Sequence, residues 1–211
     1  MAEQPGAPQP IATRPGAPQL GAPRPGTGVA RLTVAALALL VAGLGVIAAV
    51  PRPGRRLPPP KPRKPVDLDR YLGKWYEFAR YPAWFERGRE GVTADYSLRP
   101  DDLIRVVNSG HQGDPLGPLR WAVAKARPLP GSGNTKLKIA FFGPFFWGDY
   151  WILDHAEDYT WSIVGEGSRR YLWILTRDPV PSPELRALVL ARVQSFGYDP
   201  SRLHMTQHAP S

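Results

Sequence analysis

The side chains able to do chemistry are few and scattered. The chain has four histidines (His111, His155, His204 and His208) and no cysteine. Disulfides, thiol nucleophiles and Cys-ligated metals are therefore excluded. His204 and His208 stand four residues apart, which suits a metal on a helix. The surrounding LHMTQ (203–207) reads instead as a short strand running into a loose end, where that spacing does not bring them together. Asp154-His155 and Ser162 have the residue types of a hydrolase dyad, yet no G-x-S-x-G elbow occurs. Adjacent residues on a strand also point to opposite sides. The sequence thus predicts no catalytic residue, no metal site and no cofactor.

One charged cluster has a different character. YLGKWYEFARYPAWFERG (71–88) sets Glu77, Arg80, Glu86 and Arg87 among aromatics, with no nucleophile or metal ligand between them. If 74–80 is a strand, Glu77 shares a face with Trp75, while Tyr76 and Phe78 face the other way. A carboxylate sent inward must be paired or hydrogen-bonded. Arg80 and Lys125 are its candidate partners, and a structural polar contact outranks a ligand-headgroup role.

The elements that position these residues follow from patterning. The formal net charge is +9, but residues 1–65 hold nine Lys and Arg against one acid, and residues 66–211 hold eighteen against seventeen. The basicity belongs to the N-terminal third, whereas a nucleic-acid-binding domain carries its patch on its folded surface. No nucleic-acid partner is expected. Residues 1–28 are rich in Pro, Gly and Ala, repeat PGAPQ at 5–9 and 15–19, and read as a disordered tail. Residues 29–50 contain LTVAALALLVAGLGVIAAV (32–50), nineteen residues without a charge. At about 1.5 Å per residue this helix matches a bilayer's hydrocarbon core. A single uncleaved transmembrane helix is favoured over a cleaved signal peptide, because the apolar run is long and starts late. Residues 51–65, PRPGRRLPPPKPRKP, form a basic Pro-rich linker, expected to be extended and either near anionic headgroups or simply solvated.

From 66 to 211 the chain alternates with period two. In GVTADYSL (91–98), Val92, Ala94, Tyr96 and Leu98 share one face, and Thr93, Asp95 and Ser97 the other. Segments 74–80, 103–110, 119–127, 135–142, 149–156, 159–166 and 169–177 repeat the theme with short joints. Eight such strands predict an all-β, up-and-down antiparallel barrel. SPELRALVLARVQSFG (182–197) then changes to helical spacing. Ser182 is its expected cap, Leu185, Leu188, Val189, Arg192 and Val193 its packed face, and Gly197 its stop. The predicted architecture is one C-terminal α-helix against an eight-stranded barrel, preceded by the transmembrane helix. A barrel of this size encloses side chains or one small ligand.

GKW at 73–75, FERG at 85–88, VTADYSL at 92–98, VNSG at 107–110, LKIAFFGPFFWG at 137–148 and YLWILTR at 171–177 together resemble the lipocalin family. The likeness is to its bacterial lipocalin and apolipoprotein D-like subgroup, and it spans about 66–210. The resemblance implies an apolar cup closed at one end, with Gly73, Trp75 and Arg177 as structural signature and the guanidinium over the indole. The chain departs from the family at Arg169-Arg170-Tyr171, where only the tyrosine is retained, and in lacking a lipidated cysteine. The helix at 32–50 is the expected substitute anchor. The resemblance places the domain outside the cytoplasm, in the cell envelope. Six cations after the helix against three before it argue for the opposite orientation.

The resulting expectation is a membrane-tethered protein holding a fatty acid, lysophospholipid or similar hydrophobic ligand, for lipid storage, transport or membrane maintenance. Its partners are that ligand and the membrane. The cavity is assigned to Val92, Ala94, Tyr96, Ile104 and Val106, with Ala122, Ala124, Ile139, Phe141 and Trp173 opposite. Asn108 and Tyr150 are assigned polar contacts near the mouth, and Glu77 is the inward charge. Two rival readings stand beside it. One is an interaction scaffold using the aromatic turn Phe145-Phe146-Trp147; the other is a lipid-modifying enzyme, for which no inward titratable cluster can be assembled.

Overall fold

The alternation closes on itself. The computed structural model describes residues 57–141 and 145–210. Nine strands form one sheet: β1 (Gly73–Arg80), β2 (Arg89–Leu98), β3 (Ile104–Gln112), β4 (Leu119–Pro128), β5 (Lys136–Ala140), β6 (Gly148–His155), β7 (Trp161–Gly165), β8 (Leu172–Thr176) and β9 (His204–Met205). Strands β2 to β8 pair in sequence order, β8 pairs with β1, and β1 pairs back with β2, all antiparallel. Closure leaves the eight main strands without a continuous free edge. The expected strands recur with shorter bounds for the last two. Tyr159 and Arg169, expected to open β7 and β8, lie in tight turns with φ of 61° and 58°.

Two helices complete the domain. Helix α1 (Leu68–Tyr71) was not foreseen; Asp67 caps it, its Oδ1 accepting from the N–H of Asp69 at 3.1 Å and of Arg70 at 3.4 Å. Helix α2 (Pro183–Ser195) begins where expected, with the Ser182 Oγ accepting from the Leu185 N–H at 3.3 Å. It ends at Gly197, whose φ of +80° favours a residue without a side chain.

Strand parity sorts the core into two clusters. Inside the barrel lie Trp75, Tyr96, Val106, Ile152, Val164 and Leu175. Outside it, Phe78, Leu153, Ile163, Leu172 and Ile174 meet Val189 and Val193 of α2. Strands β1, β6, β7 and β8 therefore bury both faces, whereas β4 is exposed over much of its length. Leu188, expected on the packed face of α2, is 44% exposed, and Leu190 packs against the barrel cluster instead. Tyr76, on the face of Phe78 by parity, does not join the helix-side cluster and lies edge-on to His208.

The second half of the linker is not a free spacer. The Arg63 N–H donates to the Leu153 carbonyl at 2.9 Å, and the Arg169 guanidinium donates to the Pro58 carbonyl at 2.5 Å. Arg63 and Arg192 both approach the Asp154 carboxylate, at 3.4 and 3.7 Å, tying linker and α2 to β6. Among the described residues no helix is long and apolar enough to cross a membrane. The segment 32–50 and the tail lie outside the described residues.

Leu153 is fully buried between the barrel wall and α2. Leu153→Ala should lower the unfolding free energy by about 2–5 kcal/mol, measured by urea denaturation, with the secondary structure of the native state retained.

Candidate functional site

One end of the barrel is shut. The Arg177 guanidinium lies 3.8 Å from the Trp75 ring centroid. Its nitrogens donate to the carbonyls of Lys74 at 2.6 Å, Leu72 at 2.8 Å and Arg70 at 3.0 Å. The Trp75 indole N–H donates to the Tyr71 carbonyl at 2.8 Å. Gly73, with φ of +89°, makes the turn from α1 into β1 just below this clamp, which is the place the sequence signature predicts.

Above the floor lies a second, polar layer. The Tyr71, Tyr150 and Tyr96 hydroxyls form a chain with O···O distances of 3.0 and 2.7 Å, and Tyr71 continues to Ser162 at 3.2 Å. Burial pushes the Tyr71 phenol up to about 12 and those of Tyr96 and Tyr150 well above their ordinary value, so all three keep their protons. Tyr150, expected near the mouth, instead belongs to this layer.

Over the tyrosines sits a partly open cavity of about 100 Å³. Of the expected lining, Val92, Ala94, Tyr96 and Val106 on β2 and β3 face it. So do Asn108, Ile139, Phe141 and Tyr150, together with Trp173 and Glu77. Three assignments need correction. Ile104 and Ala124 have the right parity but sit in the packed interior outside the lining, and Ala122 is exposed, because β4 runs beyond the stretch that β5 covers. Alternation fixes the face of a side chain but not its height in the barrel. A wider, shallow depression of about 540 Å³ lies outside, between residues 62–65 and 129–136. It is open to solvent and distant from the barrel interior.

Parity also misses what surrounds Glu77. Pairing of β1 with β8 shifts register between Glu77 and Ala79. This bulge sends Phe78 and Ala79 together to the outer cluster and returns Arg80 to the side of Glu77. The Arg80 Nη1 donates to Glu77 Oε1 at 2.5 Å and to Thr206 Oγ1 at 3.1 Å. Its Nη2 donates to the carbonyls of Arg89 at 2.9 Å and Glu86 at 3.2 Å. The partner is thus Arg80; Lys125 is exposed on the outer face. The C-terminal segment completes the cluster: β9 pairs with Ala79 and Arg80, and the Thr206 N–H donates to the Phe78 carbonyl at 3.1 Å.

Phe85, Glu86, Thr93, Asp149 and Leu175 also line the cavity and were not among the expected residues. Phe85 and Glu86 lie in a 3-10 turn between β1 and β2, a placement that no period-two pattern reports. Thr93 reaches the lining where the β1–β2 pairing ends. The Glu86 carboxylate accepts from the Trp173 indole N–H at 3.0 Å, and its side chain is 19% exposed. Burial first, and then the Glu77 charge, push its pKa up to about 8.

The dyad and metal candidates dissolve. His155 stacks on Tyr159 with ring centroids 4.4 Å apart and its ring nitrogens lie against the carbonyls of Ala156 and Pro65. Ser162 meets Tyr71 and the Asp154 main chain, not His155. His204 pairs with Glu90 at 2.8 Å, His208 donates to the Glu77 carbonyl at 2.8 Å, and His111 lies 2.7 Å from the Gly117 carbonyl. Among the described residues no group of acids and histidines could hold a metal ion.

Two consequences are measurable. Arg80→Ala strands the Glu77 carboxylate in the barrel and should cost about 3–5 kcal/mol of stability, while Arg80→Met combined with Glu77→Gln should cost less; chemical denaturation of the three variants tests this. Glu86 holds its proton more tightly when folded than its ordinary value of 4.5. Its stabilising contribution is therefore complete below that value and is lost as pH rises through about 8. In Glu86→Gln the fall in melting temperature between about pH 5 and 8 should flatten.

Comparison with known proteins agrees with this geometry. Residues 66–208 match the family described as the lipocalin-like domain. The chain is 40% identical over 145 residues to the outer membrane lipoprotein Blc of Escherichia coli (strain K12), covering 69% of this chain and 81% of that one. It is 36% identical over 151 residues to temperature-induced lipocalin-1 of Arabidopsis thaliana, covering 68% and 80%. Apolipoprotein D of Mus musculus is 30% identical over 162 residues, covering 73% and 83%. Insecticyanin from the tobacco hornworm Manduca sexta shares the fold, with a TM-score of 0.57 at 21% identity over 72% of this chain and 84% of that one. A closed antiparallel barrel, a helix on its wall, a floor of Trp75 under Arg177 and these matches together show that the chain belongs to the lipocalin family.

Proposed function

We propose that this protein is a membrane-tethered lipocalin whose barrel holds the hydrocarbon chain of a lipid, in the service of lipid storage, transport or membrane maintenance. The observation that carries the reading is the partly open cavity lined by Val92, Ala94, Val106, Ile139 and Leu175, shut below by the tyrosine layer. Its volume of about 100 Å³ is below the usual range for a small-molecule site, roughly 300–1,000 Å³. That narrowness favours one chain over two, so a fatty acid, lysophospholipid or similar single-chain amphiphile suits it and a two-chain phospholipid does not. Apolar burial drives the association, at about 0.8 kcal/mol per methylene.

The tether is the apolar segment 32–50, and the reading places the barrel on the envelope side. The relatives named as outer membrane lipoproteins support an envelope location. The titratable groups of the barrel are engaged with one another, with the main chain or, for Glu86, chiefly with the Trp173 indole, so we read the protein as a binder and not as an enzyme.

A second reading has its own support. Trp84, Phe145 and Trp147 are 83%, 63% and 77% exposed on the loops around the open end. Such aromatic mass at loop tips suits contact with a membrane or a protein, and it is compatible with ligand entry at the same end.

Mass spectrometry of material retained through detergent-free extraction of the full chain tests the cup. The expected result is single-chain lipid at near-stoichiometric amounts. A barrel recovered empty from lipid-replete cells would overturn the reading.

A further inference from the structure

A cup that holds an amphiphile must also meet its head group, and the charges at this cavity constrain which head it can meet. Three carboxylates line the cavity (Glu77, Glu86 and Asp149), and among the described residues no Lys, Arg or His lines it. Asp149 is matched by Lys138 at 2.6 Å. Glu77 is matched by Arg80. Glu86 only shares a cation: the Arg80 Nε lies 3.9 Å from its Oε2 while the same guanidinium sits closer to Glu77, and the near partner of Glu86 is the neutral indole of Trp173.

Among the described residues Arg80 is the cation nearest that corner, and four of its five N–H donors are already spent, the fifth, on Nε, facing Glu86. Four of its N–H directions go to Glu77, Thr206 and the carbonyls of Glu86 and Arg89, and its side chain is 4% exposed. Arg89 is turned to the Gly110 carbonyl at 3.4 Å. A carboxylate entering the cup would meet Glu86 and neutral donors such as Asn108 and Thr93, but no free cation. Without a cation, a buried carboxylate recovers only part of its lost hydration.

We propose that the cup selects single-chain amphiphiles whose head group carries hydrogen-bond donors and no net negative charge, such as an amine, amide or alcohol, with Glu86 as the acceptor of that head. The inference rests on the cup reading above and narrows it, since free fatty-acid anions drop out. An ammonium head supplies Glu86 with a closer cation than the shared Arg80 guanidinium, and a hydroxyl or amide N–H supplies a donor to the same carboxylate. The groups facing Glu86 are Glu77 and Arg80 from β1, Arg89 from β2 and Trp173 from β8. Burial that holds the proton on the empty Glu86 carboxyl is the expected behaviour of a carboxylate awaiting a counter-ion.

The test is a titration of the full chain with hexylamine, hexanol and hexanoate, short enough for the narrow cavity. It is read from the Trp173 indole N–H resonance, whose bond to Glu86 any head group at this site must disturb. At pH 7.5 hexylamine and hexanol should bind about tenfold tighter than hexanoate, or more. Hexylamine stays protonated below about pH 10, as lysine does. Its affinity should therefore rise from pH 6.5 to 8.5 as Glu86 releases its proton, whereas hexanol should show no such rise. In Glu86→Gln the amine should fall to the level of the alcohol and lose its pH dependence. Hexanoate binding as tightly as the other two overturns the inference and leaves the cup reading standing. An indole resonance unmoved by all three ligands overturns both. The wild-type series decides the matter even if Glu86→Gln does not fold.

Discussion

The clamp of Arg177 over Trp75 is the contact on which the polarity of this barrel depends. Helix α1 is only four residues long, so the carbonyls at its end have no intrahelical partner. One guanidinium answers several of them while stacking on the indole, and the indole N–H answers another. A planar fork with five donors can do both; an ammonium on a flexible stem cannot. Once that end is sealed, the cavity opens only toward the loops that follow β1, β3, β5 and β7. The position of the tyrosine layer, the depth of the cup and the location of its head-group end all follow from it.

At the other end the governing constraint is a buried ion pair. Glu77 and Arg80 are three residues apart on a strand, a spacing that normally sends side chains to opposite faces. The bulge between Glu77 and Ala79 resolves this by adding one residue to the outer face. The barrel thereby gains a satisfied charge pair inside, and Phe78 and Ala79 both pack against the helix side. Thr206 and β9 are drawn in because the guanidinium and the free edge of β1 still need partners. The C-terminal segment is thus part of the site's wall, which also explains why His204 and His208 serve as hydrogen-bonding props and not as ligands.

The two ends give the interior opposite characters. Near the floor, apolar packing and hydroxyls that keep their protons leave no charge. Near the mouth, three carboxylates share two cations, Arg80 and Lys138, both turned away to protein partners. The aromatic side chains Phe85 and Trp173 fill much of the space between, and with the tyrosine layer they make the cavity narrow.

Local patterning suffices for the main strand number, the up-and-down order, the helix with its Ser182 cap and Gly197 stop, and the inward face of most lining residues. These are local properties, set by period-two alternation and by caps that act within four residues. The segment 71–88, whose aromatics and charges look mismatched in one dimension, already carried the family signature and the inward Glu77. Only the tertiary structure decided that Arg80 joins Glu77, that Ile104 and Ala124 fall outside the lining while Ala122 is left uncovered, and that Tyr150 belongs to a buried hydroxyl chain. The reason is that bulges, strand heights and the docking of a distant C-terminus depend on pairing between strands. Alternation along a single strand carries no record of its neighbour's register.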